Sequence, residues 1–424
     1  MLVPEAPLDA YRSDLARDKT REDFGGADTV WLLSAHCISR ICRATPQDLP
    51  TLGAQCAAAL REFAQPATDG TDIPKVEIAD LLLVVDGFSN LRSRDGADAL
   101  ARGVRGMATR MAYAGALSMA YTLVTMTRKV AGEACDREHG LLAADQGMIA
   151  RLLGDLDAAE EIYSAAERLG EKAKDLTVLA RAFIGRGVVD RVRGNYPRSR
   201  VFFERGLELG ETVEDRELMR LAHQGLTICH AISKNFDRAL QHGWSTLKLS
   251  DGDSGRESEA LGNLAQLCLD SGYPAAALRA YAAVLSRAVS GRIALSALGG
   301  AAMAAAQAGD HNVLARVRHE VTTRTSTSGL PYENAQALYQ LAMAYATVGN
   351  VPEHEDFLVR ARKLAKARGF FELVHKTEPS VVAKALPPVA ASVTLTNPSR
   401  EVVAHLAEFE VGDAAGMLAL TRSS

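Results

Sequence analysis

Three groupings in this 424-residue chain bring together residue types that bind metal or move protons. His223 and His230 stand seven apart and share a helix face, with backbones about 10.5 Å apart along the axis. One ion would have to sit about 2 Å from a nitrogen of each ring, so the pair reads as packing at a helix seam. His36 lies beside Cys37 with Cys42 nearby, a metal or thiol combination in type; on a helix, however, the two cysteines point about 140° apart. Asp251-Gly252-Asp253-Ser254-Gly255 opens like a calcium loop, but Gly262 stands where the bidentate glutamate is required, so a polar loop is expected. The carboxylates Glu160-Glu161 and Glu353 with Asp356 read as solvated faces rather than acid/base dyads. Nucleophile-elbow, phosphate-loop, zinc-protease and dinucleotide signatures are missing. The sequence therefore assigns no catalytic residue, no cofactor and no metal ligand.

Composition narrows the class further. A net charge of −4 and a pI near 6.2 give no overall attraction to nucleic acid or an anionic membrane. The first residues lack a basic, then apolar, export signal, and no apolar run reaches the roughly 18 residues that span a bilayer; a cytoplasmic location is expected. The six cysteines, without CxxC spacing, read as small buried hydrophobes. Aromatics are only 5% while alanine is abundant, a mixture suited to closely packed helices. The length exceeds the roughly 250–300 residues at which one core stops growing, which leaves several domains or a repeat array.

The elements that would position any site are repeats. Shifted by 40 residues, Gly147 falls on Gly187, Arg151 on Arg191, Gly154 on Gly194, Tyr163 on Phe203, and Leu169-Gly170-Glu171 on Leu209-Gly210-Glu211. Turns are expected at Gly115, Gly154-Asp155, Gly194-Asn195, Lys234-Asn235, Gly272-Tyr273, Gly309-Asp310 and Gly349-Asn350, at intervals of 39, 40, 40, 38, 37 and 40 residues. Glycine ends a helix in the left-handed conformation at no steric cost, and Asp or Asn caps the next. A period in this range marks a solenoid, whose units bury their apolar faces only by stacking.

This pattern resembles the tetratricopeptide repeat. A small residue recurs in the first helix (Ala108, Gly147, Gly187, Thr227, Ala265, Ala302, Ala342). Five residues after the turn glycine stand Ala120, Ala159, Ser199, Ala239, Ala277, and then Leu314 and His354; Tyr163, Phe203 and Tyr281 follow four further on. The repeat is longer than the family's usual 34 or so residues, and such long repeats are similar to those in the sensor domains of bacterial regulators. The resemblance implies an all-α, right-handed α-solenoid of stacked antiparallel helix pairs. It also implies a concave face formed by the first helices, where the family meets its ligands. Carried onto this chain, the inward positions give Arg102, Arg105, Tyr113, Arg151, Arg181, Arg191, Gln224, Gln266, Asp270, Gln307, Gln336 and Tyr339. The first three units thus present arginines, suited to an acidic peptide or a chain terminus, unless these pair with neighbouring carboxylates. The later units present mainly amides.

Residues 1–94 are expected as a helical cap or degenerate repeats, with helices near 27–43, 48–64 and 75–91 and a loop at 66–74. Residues 95–370 form the array. Residues 371–424 add a last helix to about 386, a proline-containing linker, and a short helix capped by Ser399 and running through Glu410. The implied function is non-catalytic binding of a protein or peptide by a scaffold, or alternatively a ligand-responsive regulatory sensor. A cryptic enzyme is the remote alternative.

Overall fold

The computed structural model describes residues 34, 37–38, 40–43, 47–64, 75–90, 93–114, 116–131, 134–287, 290–327, 330–378 and 393–409. Among the described residues every regular element is a helix. The chain divides into two compact units, Met1–Leu218 and Met219–Ser424. Unit 1 holds α1 (Leu49–Ala64), α2 (Lys75–Ser89), α3 (Arg94–Tyr113), α4 (Leu117–Val130), α5 (Asp136–Leu152), α6 (Leu156–Ala173), α7 (Leu176–Val192) and α8 (Tyr196–Thr212). The division falls near the start of α9 (Arg216–Ile232). Unit 2 continues with α10 (Phe236–Leu249), α11 (Ser254–Asp270), α12 (Pro274–Leu285), α13 (Gly291–Ala308), α14 (His311–Thr327), α15 (Pro331–Thr347), α16 (Val351–Arg368), α17 (Phe371–Lys376) and α18 (Asn397–Ala407).

Turn chemistry writes the helix pairs. Gly154, Gly194, Gly272, Gly309 and Gly349 take φ between +71° and +88°, and Lys234, standing in for glycine, takes +56°. At each of these turns the next residue's N–H reaches a carbonyl five positions back, as Asp155 does to Ala150 and Asn350 to Tyr345, the bond that closes a Schellman motif. Asp155, Asn235, Asp310 and Asn350 then accept from the N–H three residues on, whereas the Asn195 side chain makes no cap bond. Gly115 lies outside the described residues. Between repeats, Lys174 and Glu214 adopt positive φ forty positions apart, and Asp253 accepts from the N–H groups of Gly255 and Arg256. The stretch that opens like a calcium loop is thus a helix cap. Helices of 17 and 18 residues, as in α5 and α6, hold the extra length of the repeat.

Packing follows the small-residue pattern. In unit 1 a Cβ added at Gly187 would lie 3.1 Å from the Phe203 ring, so glycine sets the depth of that seam. Ser199 Oγ donates to the Gly187 carbonyl at 2.7 Å. In unit 2 His354, a departure from the small-residue pattern, places Nδ1 2.9 Å from the Ala342 carbonyl at the same separation of 12 residues, so imidazole replaces hydroxyl in one role. The unit 1 core runs from Ile38 and Leu60 through Phe88, Leu100 and Met107 to Ile149. The unit 2 core gathers Leu264, Leu298, Val317, Leu341 and Phe357.

The tail of unit 2 packs back onto it. Thr396 donates through its N–H and its hydroxyl to Asp237 Oδ1, each at 2.9 Å, and the Tyr273 hydroxyl donates to the Val393 carbonyl. Leu395, Val402, Val403 and Leu406 enter the core beside α10 and α12. Three expectations change here. The helix expected to run to residue 386 ends at Lys376, with residues 379–392 outside the described set; α18 is N-capped at Thr396, not Ser399, because Pro398 sits in its first turn. That helix also stops at Ala407 rather than Glu410, which is itself undescribed. The loop at 66–74 and His36 lie outside the described residues as well.

Candidate functional site

The first helices of unit 1 carry the expected arginines, and the structure gives most of them internal partners. Arg105 Nε lies 2.8 Å from Asp145 Oδ2 and its Nη1 3.6 Å from Glu138 Oε2. Arg102 lies 3.8 Å from Glu138 and Arg181 3.4 Å from Asp145. Glu138 and Asp145 are buried on α5, so one helix supplies the carboxylates for arginines of α3 and α7. Arg151 acts on the Tyr163 hydroxyl, whose pKa burial pushes up to about 12 while that guanidinium pulls it back. Arg191 is half-buried near the end of α7, and Tyr113 is 80% exposed at the end of α3. The intramolecular alternative is therefore the arrangement found at Arg102, Arg105 and Arg181.

In unit 2 two of the expected amides, Gln224 and Gln266, line a cavity of about 420 Å³. It is lined by Gln224 of α9, Asn263 and Gln266 of α11, Tyr281 of α12, Ser296 of α13 and Gln340 of α15, among others. Gln266 Nε2 donates to Asp270 Oδ1 at 2.8 Å and its Oε1 accepts from the Tyr281 hydroxyl at 3.0 Å; burial pushes that phenol well above its ordinary range. At the cavity wall Arg292 pairs with Glu259 at 2.8 Å, leaving the lining without net charge from that pair. Gln224 and Gln266 thus meet in one cavity, with Asp270 held behind Gln266. Gln336 and Tyr339 lie half-buried on α15 and Gln307 half-buried on α13, but none of them lines it. Burial raises the Tyr339 pKa, and Lys376 opposes it.

Sequence reasoning missed Gln340 and Asn263. Each stands nine residues before its turn glycine (349 and 272), a register just beyond the inward positions carried over. Asp145 occupies the same register before Gly154, which is why the neutralising carboxylate was also missed. One further signal was readable. Ten residues before the turn stand Gln224, Gly262, Gly299 and Tyr339 in successive units, so two glycines replace larger side chains where the cavity lies.

A histidine cluster lies elsewhere in unit 2. His223 Nδ1 is 2.9 Å from His242 Nδ1, and the His230 ring stacks on His242 at 5.4 Å between centroids. Burial, then the neighbouring histidines, depress the His242 pKa to about 4. Among the described residues no group of three or more metal-binding side chains is arranged to hold an ion. Cys37, Cys56, Cys229 and Cys268 are buried, but Cys42 is exposed and donates to the Met126 carbonyl, which corrects its reading as a buried hydrophobe. No helix among the described residues is long and apolar enough to cross a membrane.

No family model matches the chain, and no curated protein matches it. Solved structures do. The signal transduction ATPase with numerous domains from Pyrococcus horikoshii, which carries a tetratricopeptide repeat sensor, aligns at TM-score 0.53 and 14% identity over 87% of this chain and 57% of that one. RapI in its apo form aligns at TM-score 0.49 and 9% identity over 79% and 99%. A Rap protein complexed with competence and sporulation factor aligns at 0.46 and 10% over 82% and 99%. At such identities the first likeness shows the fold alone: this chain is an all-α, tetratricopeptide-like helical repeat.

Proposed function

We propose that the protein is a non-catalytic binder of a protein or peptide, and that the cavity of unit 2 is where the ligand sits. The observation that carries this reading is the convergence of amides from α9, α11 and α15 on one cavity whose only charged lining residues, Glu259 and Arg292, pair with each other, and whose wall is opened by Gly262. Amides donate and accept at once, which suits an extended backbone more than a single charged group. Stacked helices hold such groups in place before binding, so less entropy is lost on association. The arginines of unit 1 serve mainly to join its first helices, and Gln224 and Gln266 are the ligand-facing residues of those the resemblance implies. A regulatory sensor is the second reading; it is supported by the P. horikoshii protein, which carries its similar repeat as a sensor.

A Cβ at Gly262 would meet no atom within 4 Å, so a large side chain there enters the cavity without strain. Randomised heptapeptides panned on the wild type should yield binders, and Gly262→Phe should weaken their binding about 100-fold or more by filling a ligand-sized space, with an unchanged melting temperature. Binders that hold equally well to a folded Gly262→Phe protein would sink the cavity as the site.

A further inference from the structure

We infer that Gly299 of α13 is the residue that sets which ligand the cavity accepts, by seating the Gln340 amide with its oxygen inward and its NH₂ toward the ligand; this rests on the peptide-binding reading above. Glycine in a helix interior weakens it relative to alanine, and α13 is otherwise rich in alanine, with Ala301, Ala302, Ala304, Ala305 and Ala306 following the doublet Gly299-Gly300. Gly300 has a counterpart. A Cβ there would stand 2.2 Å from Tyr281 Cζ, as one at Gly185 would stand 2.1 Å from Tyr163 Cε1, so this glycine belongs to the repeat's aromatic seam. Gly299 instead makes room for Gln340: a Cβ there would stand 1.8 Å from Oε1 and 2.8 Å from Cδ.

The consequence is chemical. Gln340 Oε1 is enclosed, and among the described residues no donor reaches it. Because Gln340 lines the cavity, the polar group it has left to offer is Nε2, a donor. With Arg292 already held by Glu259, the cost of desolvating a carboxylate beside this NH₂ group goes uncompensated, so the donor is left to an uncharged acceptor such as a backbone carbonyl. The ligand class is a peptide read through its main-chain carbonyls. A Cβ at residue 299 would push the amide out of its seat and turn a preorganised donor into a mobile one.

The test uses the full chain and a pool of acetylated, amidated heptapeptides selected on the wild type. Gly299→Ala should weaken pool binding about tenfold or more, the scale of losing one well-placed hydrogen bond in a closed site, with melting temperature unchanged or raised. Gln340→Ala should lose as much, and the Gly299→Ala/Gln340→Ala pair no more than either alone, which a merely structural role would not produce. Binding by Gly299→Ala within twofold of wild type, additive losses in the pair, or tighter binding of the free-acid pool would each overturn the inference while leaving the peptide-binding reading standing. A wild type that selects no peptide overturns both. If Gly299→Ala does not fold, Gln340→Asn, which draws the amide back by one methylene, should show the same loss, and retained binding there overturns the inference.

Discussion

Unit 1 and unit 2 use the same helix pair to opposite ends. In unit 1 the residue nine before the Gly154 turn is Asp145, which with Glu138 ties arginines of α3 and α7 to α5. In unit 2 the same register holds Asn263 and Gln340, which tie nothing together and line a cavity. Charges in partly buried sites demand partners, because an unpaired one costs several kcal/mol. Amides tolerate an unfilled bond at lower cost, so they can wait for a ligand. A face of paired charges is a joint, whereas a face of neutral donors and acceptors keeps the bonding capacity that the proposed receptor needs.

The comparison breaks most visibly at Asp145. Replacing it by Ala should cost about 3 kcal/mol, the scale for removing one partner of a buried ion pair, read by chemical denaturation with hydrogen exchange to place the loss in unit 1. A cost below about 1 kcal/mol would mean surface-type pairing and would return those arginines to candidacy as a ligand face. A smaller contrast concerns capping. Asn350→Ala in unit 2 should cost about 1 kcal/mol because its side chain accepts from Glu353 N–H, while Asn195→Ala in unit 1, which removes no cap bond, should stay within about 0.5 kcal/mol. Equal costs would show that the cap bond is not what stabilises these turns.

The mildest contrast is with pH. His242 titrates near 4 when folded against 6.5 when unfolded, so the unfolded chain binds more protons between those values. Unit 2 should keep its full stability above pH 6.5 and lose it gradually as the pH falls toward 4. Burial lowers the His223 pKa as well, so His242→Phe should flatten that slope in the exchange rates of α9 and α10 and leave a smaller one of the same sign; an undiminished slope would assign it to other groups.

The repeat was legible because its determinants are local. A glycine or Lys234 at positive φ and an Asp or Asn cap act within a few residues, and a small residue facing an aromatic, as Gly187 faces Phe203, lies within one helix pair. The sites were less legible because they depend on register between helices. Inward positions carried over from the family found Gln224 and Gln266 but passed over Asp145, Asn263 and Gln340, which stand one residue closer to the turn than the register of Gln224. Nor could spacing foresee that His242 would complete a cluster with His223 and His230, since it arrives from the opposite helix of the pair. The tail was hardest to read, because its bonds to Asp237 come from residues far along the chain.

Those bonds set an order of events. Asp237 and Thr396 are 159 residues apart, and at synthesis rates of about 5–20 residues per second the α10 and α12 face waits about 8–30 s for the strap that covers it. During that interval the ground beneath Leu395, Val402, Val403 and Leu406 is open to whatever reaches it first. A message that stops short of codon 393 would leave it open for the lifetime of the molecule, so residues 393–409 shield a face that α10 and α12 cannot cover for themselves.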